Sequence, residues 1–310
     1  MLPFKLIYHP AYDLRLFAHV FPSEKYRLVH ESLLNEEIAA PSDFLTPQSA
    51  TDEDILRVHT RDYFEKLRTN QLSAHERMRM EIPFNAQTLE AFRLAAGGSI
   101  LAGERALADG FAANLGGGFH HACPDHGEGF CVLHDVAIAI RHLQTRGAIR
   151  TAMVVDTDVH QGNGTAEIFA RDETVFTISL HQENIYPEPK STSDIDVNLP
   201  EGIGDADYLA ILEKHLYAAF THFSPDLIFY VAGADPYCED QLGGLALTME
   251  GLKQRDTLVL DYARRNSTPL AVTLAGGYAR RVADTVRIHV NTITAMRTAA
   301  LARAYMPSKY

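Results

Sequence analysis

Cysteine is scarce, basic residues are outnumbered and long apolar runs are missing from this sequence. Its three cysteines, Cys123, Cys131 and Cys238, are odd in number and contain no CxxC pair. That excludes a disulfide framework and a Cys-rich zinc site, and it leads us to expect a reducing compartment. The 28 Lys and Arg against 40 Asp and Glu leave a formal net charge of -12. Such a balance disfavours a nucleic-acid partner, because holding phosphates requires clustered basic side chains whose counterion release drives association. A cationic substrate stays compatible. No apolar run reaches the roughly 18 to 20 residues needed to span a bilayer. The opening MLPFKLIYHP turns polar too early for a signal peptide, so a cytoplasmic protein with no membrane span is expected. Internal repeats, low-complexity tracts and Pro/Gly/Ser linkers are also absent, and nothing specifies an oligomeric state.

What is present is a chain of 310 residues, 46% hydrophobic, long enough to bury one large core. Short apolar runs at Phe4 to Tyr8, Ala152 to Val155, Val175 to Leu180, Leu227 to Val231 and Leu270 to Leu274 read as strands. Their continuous hydrophobicity suits strands covered on both faces, as in a parallel sheet flanked by helices. Stretches at about 86 to 108, 134 to 146, 206 to 222, 248 to 266 and 284 to 304 have helical apolar spacing, with Leu89, Phe92, Ala96 and Ile100 as examples. The predicted architecture is one doubly wound α/β domain over residues 1–310, three-layered, with a mainly parallel central sheet. Polar residues with Pro187, Pro189 and Pro200 make Gln182 to Asp205 read as a long surface loop that shapes a site.

Four of these runs lead directly into Gly, His, Asp or Tyr clusters. They are Asp156-Thr157-Asp158-Val159-His160, then His181, then Ala232-Gly233-Ala234-Asp235, then Ala275-Gly276-Gly277-Tyr278. A fifth, Gly116-Gly117-Gly118-Phe119-His120-His121, follows the weaker run Phe111 to Leu115. Strand carboxyl ends share one edge of an open α/β sheet, where ligands bind, so five chain-distant clusters are expected at one site.

Asp158 and His160 alternate with Val159, which at an extended strand end points both side chains the same way. With Asp235 they make one imidazole and two carboxylates, an open catalytic set suited to Zn²⁺, while the lack of thiolates leaves Fe²⁺ possible. Taken alone, Asp235 ahead of Pro236 serves equally well as a helix N-cap or turn residue. The glycines before His120 and His121, Gly118 among them, permit close approach to a ligand. The two imidazoles can exchange protons near neutral pH if a second group orients each, and Asp156 and Asn163 are the candidates. Two solvated loop histidines are the alternative. Tyr278 after a Gly pair can donate to a developing oxyanion or serve as a core or rim aromatic. Gly129, Phe130, Cys131 and Tyr186 are candidates for the walls of an apolar channel, with ordinary core packing as the alternative for the first three.

Together these clusters resemble the histone deacetylase family, from Ile7-Tyr8-His9-Pro10 and Val58-His59-Thr60-Arg61-Asp62-Tyr63 to Gly276-Gly277-Tyr278. The segments GGGFHHACPDHGEGFCVLHDVAIA, VDTDVHQGNGTAE, ISLHQ, AGADP and LAGGY occur in family order and cover most of the chain. The resemblance implies an arginase-like α/β fold and hydrolysis of acyl-lysine. It implies zinc on Asp158, His160 and Asp235, His121 as general base, His120 as electrostatic partner or general acid, and Tyr278 as oxyanion donor. A structural potassium ion is implied at Asp156, Asp158, His160, Ser179 and Leu180.

Many family members carry aspartate where this chain has Asn163, so the imidazole it supports lacks a full negative charge and is expected to be a weaker base. The form Gln161-Gly162-Asn163-Gly164, with Tyr186-Pro187, resembles the class IV branch, which is associated with removing long fatty-acyl groups. The sequence therefore reads as a lysine deacylase acting on medium or long chains as well as acetyl. Three rivals stand beside it. One hydrolyses a small acylated amine such as an acetylpolyamine, with Glu183 and Glu188 as an acidic gate. Another is an arginase-type two-manganese ureohydrolase, and the third is a module that binds acyl-lysine without cleaving it.

Overall fold

The computed structural model describes residues 1–16 and 19–304. Among them eight strands form one sheet: β1 (Lys5–Ile7), β2 (Phe44–Leu45), β3 (Phe111–Asn114), β4 (Ala152–Asp156), β5 (Val175–Gln182), β6 (Ile195–Leu199), β7 (Leu227–Val231) and β8 (Leu270–Thr273). Every pairing is parallel, in the order β2-β1-β3-β8-β7-β4-β5-β6. The described helices are α1 (Lys25–Asn35), α2 (Asp52–Leu56), α3 (Arg61–Arg68), α4 (Ala74–Met80), α5 (Ala86–Asp109), α6 (Asp135–Thr145), α7 (Asn163–Phe169), α8 (Asp205–His222), α9 (Met249–Arg265) and α10 (Val282–Ala304).

β3, β8, β7 and β4 occupy the middle of the sheet and every residue in them is buried. Successive side chains leave opposite faces, so each strand feeds two cores. Ala112, Val154, Phe229 and Ala271 pack with Leu89, Phe92, Ala96 and Ile100 of α5 and with α6. Met153, Val155, Ile228, Tyr230 and Val272 pack with α1, α8, α9 and α10 on the other face. This is why the central strands read as unbroken apolar runs. Local signals set the helix ends: Asn85 caps α5 by accepting from Gln87 N and Thr88 N, and Gly110 at φ 88° closes it.

Two expectations need correction. The segment from Gln182 to Asp205 is not wholly loop. His181 and Gln182 continue β5, and Ile195–Leu199 forms the edge strand β6, parallel to β5. Prolines and polar residues concealed it because an edge strand needs only one buried face and one pairing partner. Second, β4 stops at Asp156, so Asp158 and His160 do not lie on an extended strand. The turn beyond it, described below, brings them together.

An ion pair is sealed beneath that turn. Arg255 is fully buried and donates from Nε and Nη2 to Asp256 Oδ1 at 3.0 and 2.8 Å, and from Nη1 to the carbonyls of Gly233 (2.6 Å) and Thr157 (3.3 Å). Tyr230 and Thr292 hydroxyls complete the Asp256 carboxylate, each at 2.6 Å. Removing one partner strands a buried charge, so Arg255→Ala is expected to cost about 3–5 kcal/mol of stability, read by urea unfolding. A loss below about 1 kcal/mol would show that the pair is dispensable to the fold.

Candidate active site

The loops after β3, β4, β7 and β8 meet at the carboxyl edge of the sheet. After β4 the chain turns on its own carboxylates: Asp158 N donates to Asp156 Oδ1 (3.0 Å) and His160 N to Asp158 Oδ1 (3.1 Å). Val159 N donates to Asp235 Oδ1 at 2.8 Å, and Gly276 N to Asp158 Oδ2 at 3.0 Å. Val159 buries its own side chain in the core, leaving its neighbours to face the site. Glycine is required at 233 and 276, since a Cβ at 233 would drive into Asp158 and one at 276 into the carboxylates of both Asp158 and Asp235.

Asp158, His160 and Asp235 are buried and present ligand atoms within 4.8 Å of one another. Asp235 Oδ2 is buried with no hydrogen-bond partner; His160 Nδ1 stands 3.4 Å away, close enough to feel its charge but out of line. Burial and the Asp158 charge push the Asp235 carboxyl up to about 7. Burial acts on Asp158 in the same direction, but the imidazoles of His120 and His160 overcome it and hold that carboxyl well below its usual range. An orphaned carboxylate oxygen beside a second carboxylate and an imidazole is a donor set that a divalent cation satisfies, and its N and O chemistry fits zinc.

Asp135, at the start of α6, clasps the glycine loop after β3 by accepting from Gly118 N (3.0 Å) and Phe119 N (2.8 Å). Gly118 takes φ 80° and packs against Ala275, leaving no room for a side chain. His120 Nδ1 lies 2.6 Å from Asp156 Oδ2, and His121 Nδ1 lies 2.7 Å from Asn163 Oδ1. The environments separate the pair. Burial works against the charge on His120, but Asp156 and Asp158 outweigh it and raise the imidazole to about 9. Burial and the charges on His120 and His160 push His121 well below its ordinary value. At neutral pH one imidazole is therefore cationic and its neighbour neutral, the division that separates an electrostatic partner from a proton acceptor.

Tyr278 is 8% exposed and is anchored by its backbone, N donating to Asp240 Oδ2 at 2.7 Å. Its ring lies 6.5 Å from that of His160 and 5.7 Å from that of Phe130. Gly118, His120, His121, Gly129, Phe130, Asp158 and Tyr278 line one narrow cavity. Tyr186, 37% exposed, sets its ring edge to face with His121 at 4.9 Å. Asp156 and Ser179 are register partners on β4 and β5, Leu180 follows, and all three are buried. Glu183 and Glu188 are exposed.

Sequence reasoning missed two groups. Lys25 is fully buried 5.5 Å from the Tyr278 ring centroid and donates to Ala275 O at 2.6 Å; burial pulls its ammonium down to about 8 against the attraction of Asp235 and Asp158. Nothing in the helical pattern of α1 sets Lys25 apart. Glu128 stood inside a recognised segment without a role. With Cys123 and His126 it forms a second group of ligand-type atoms, but both Glu128 oxygens are already engaged, Oε1 by Asn163 and Oε2 by Arg79.

The histone deacetylase domain matches residues 19–293. An uncharacterised protein of Picosynechococcus sp. is 42% identical over 92% of this chain and 96% of its own length. Histone deacetylase 2 of Arabidopsis thaliana is 31% identical over 91% of this chain and 77% of its length. Among solved structures, the HDA15 HD domain superposes with a TM-score of 0.79 at 25% identity, covering 96% of this chain and 93% of that one. The extent of the match and the order of its clusters agree: this chain belongs to the histone deacetylase family of hydrolases.

Proposed function

We propose that this chain is a zinc-dependent lysine deacylase whose whole length serves one catalytic domain, with acyl-lysine in peptides or proteins as substrate. The observation that carries the reading is one buried cluster holding an unsatisfied Asp235 oxygen, two imidazoles held by Asp156 and Asn163, and the anchored Tyr278. Asp158, His160 and Asp235 would hold the zinc, and Fe²⁺ suits the same donors. When bound, the metal polarises the amide carbonyl and makes water nucleophilic at neutral pH.

The side chains do the rest. His121 accepts the proton of the attacking water, and His120, held by Asp156, keeps a positive charge beside it. Tyr278 donates to the oxygen that becomes negative as the carbonyl carbon turns tetrahedral. The leaving amine takes its proton from His121 or His120, releasing a carboxylate and a free lysine. Asp156, Asp158, His160, Ser179 and Leu180 would hold a structural potassium ion. The cell interior is the compartment this reading favours.

Asn163 and the Tyr186-Pro187 pair support a class IV-like enzyme that takes medium- or long-chain acyl groups as well as acetyl. The zinc-loaded protein is expected to cleave octanoyl- and myristoyl-lysine peptides faster than acetyl-lysine, in an assay of released amine with metal-stripped protein as control. Cleavage of acetyl alone would restrict it to a deacetylase. Activity confined to acetylated diamines would transfer the site to small amines.

A further inference from the structure

We infer that Glu128 is a positioning residue of the reaction: its carboxylate orients the Asn163 amide so that Oδ1 faces His121, and supplies through that amide the negative charge the imidazole's partner lacks. The inference rests on the proposed role of His121 as base.

An asparagine side chain can present either end to a histidine, and the two choices have opposite consequences. With Oδ1 on His121 Nδ1, as found at 2.7 Å, the ring proton stays on Nδ1 and Nε2 is left with a free lone pair. A flipped amide would present its N–H₂ to Nδ1, place the proton on Nε2 and abolish the base. Nothing in Asn163 itself chooses between them. Glu128 does, because Asn163 Nδ2 donates to Glu128 Oε1 at 2.5 Å and a carboxylate can only accept. Turning the amide over would set Oδ1 against that carboxylate. The other contact of Nδ2, Cys123 Sγ at 3.9 Å, is too weak to decide the matter.

Glu128 is built to stay charged and fixed. It is 4% exposed, and Arg79 from α4 donates Nε to its Oε2 at 2.6 Å, with Nη2 at the same distance. His126 Nε2 stands 3.3 Å from Oε2, a charge contact out of line for a hydrogen bond. Burial would push the carboxyl up, but His126, Asn163 and Arg79 together bring it down to about 2. The backbone of Glu128 is pinned to Cys131 by two hydrogen bonds, N to O at 3.0 Å and O to N at 2.8 Å, across a tight turn with Gly129 at φ 51° and Phe130 at φ 67°. The turn that places Phe130 in the cavity wall therefore also sets the far end of the relay Arg79, Glu128, Asn163, His121.

Four zinc-loaded variants test this: Glu128→Gln, Asn163→Asp, the double variant, and His121→Ala. Glu128→Gln is expected to lower kcat by about 10- to 100-fold, the usual cost of losing an orienting partner, with KM within about twofold. Asn163→Asp alone places two carboxylates in contact and is expected to lose activity. The double variant is expected to regain it, because the amide introduced by Glu128→Gln can donate to the carboxylate introduced by Asn163→Asp. Glu128→Gln is thus harmful beside asparagine and beneficial beside aspartate, a reversal that a structural role does not produce. Nitrogen-edited NMR of the metal-free protein gives a reading without turnover: the His121 Nδ1–H resonance is expected to weaken or vanish on Glu128→Gln. Wild-type kcat in Glu128→Gln alongside an inactive His121→Ala would overturn the role of Glu128 and leave the base intact. An equal loss in both backgrounds would also overturn it. An active His121→Ala would overturn the base assignment, and the relay with it.

Discussion

Asp235→Ala is expected to reduce turnover by about three or more orders of magnitude, since the several kcal/mol of transition-state stabilisation supplied by a bound metal go with it. Asp235 provides the one buried oxygen of the cluster that no protein donor satisfies, and the backbone of Val159 holds its other oxygen in place. Alanine removes both. Calorimetry provides a second reading. Zinc that binds the folded chain and not the unfolded one raises the melting temperature by mass action, by about 2.7 kcal/mol in stability at a hundredfold excess over Kd. The wild-type protein is expected to show this shift, and Asp235→Ala to show little or none at the same zinc concentration. Burial beside Asp158 makes the Asp235 carboxylate a liability until a cation arrives, whereas its loss leaves the Val159 N–H unpaired, so the zinc shift of each protein is read against its own metal-free melting temperature. An unchanged zinc shift would remove Asp235 from the ligand set.

Tyr278→Phe is expected to lower kcat by about two to three orders of magnitude, the cost of losing one preorganised donor to a developing oxyanion, with KM little changed. The phenol is suited to this because it stays protonated: burial and the nearby Asp158 and Asp235 charges push it well above its ordinary value. Phenylalanine keeps the ring contacts with Phe130 and His160, so the fold should not change. Asp240 and Gln241 grip the backbone of residue 278 rather than its hydroxyl, which isolates the effect to one hydrogen bond. Near-parental turnover would take Tyr278 out of the mechanism and leave it an aromatic wall of the cavity. Paired with the Asp235 variant, the measurement separates the two contributions, since the tyrosine variant should keep its zinc-dependent melting shift.

The sequence by itself determined where the central strands run and which residues end them. An apolar run buried on both faces and closed by Gly, Asp or His is a local pattern, so β4, β5, β7 and β8 and the convergence of their clusters are legible in it. That Asp156 and Asn163 partner the two imidazoles was legible for a related reason, though not that Asp156 takes His120 and Asn163 takes His121. Few groups of suitable chemistry end at the same sheet edge. The tertiary structure alone decided the rest. Ile195–Leu199 is a strand because β5 offers it an unpaired edge, whatever its own polarity. Asp158 and His160 converge because Gly276 and Asp235, distant in sequence, bind the turn between them. Lys25 reaches Ala275 across 250 positions, and Glu128 orients Asn163 across 35. Such partnerships depend on charge and hydrogen-bond direction at a few ångströms, and those distances exist only after the sheet has brought its loops together.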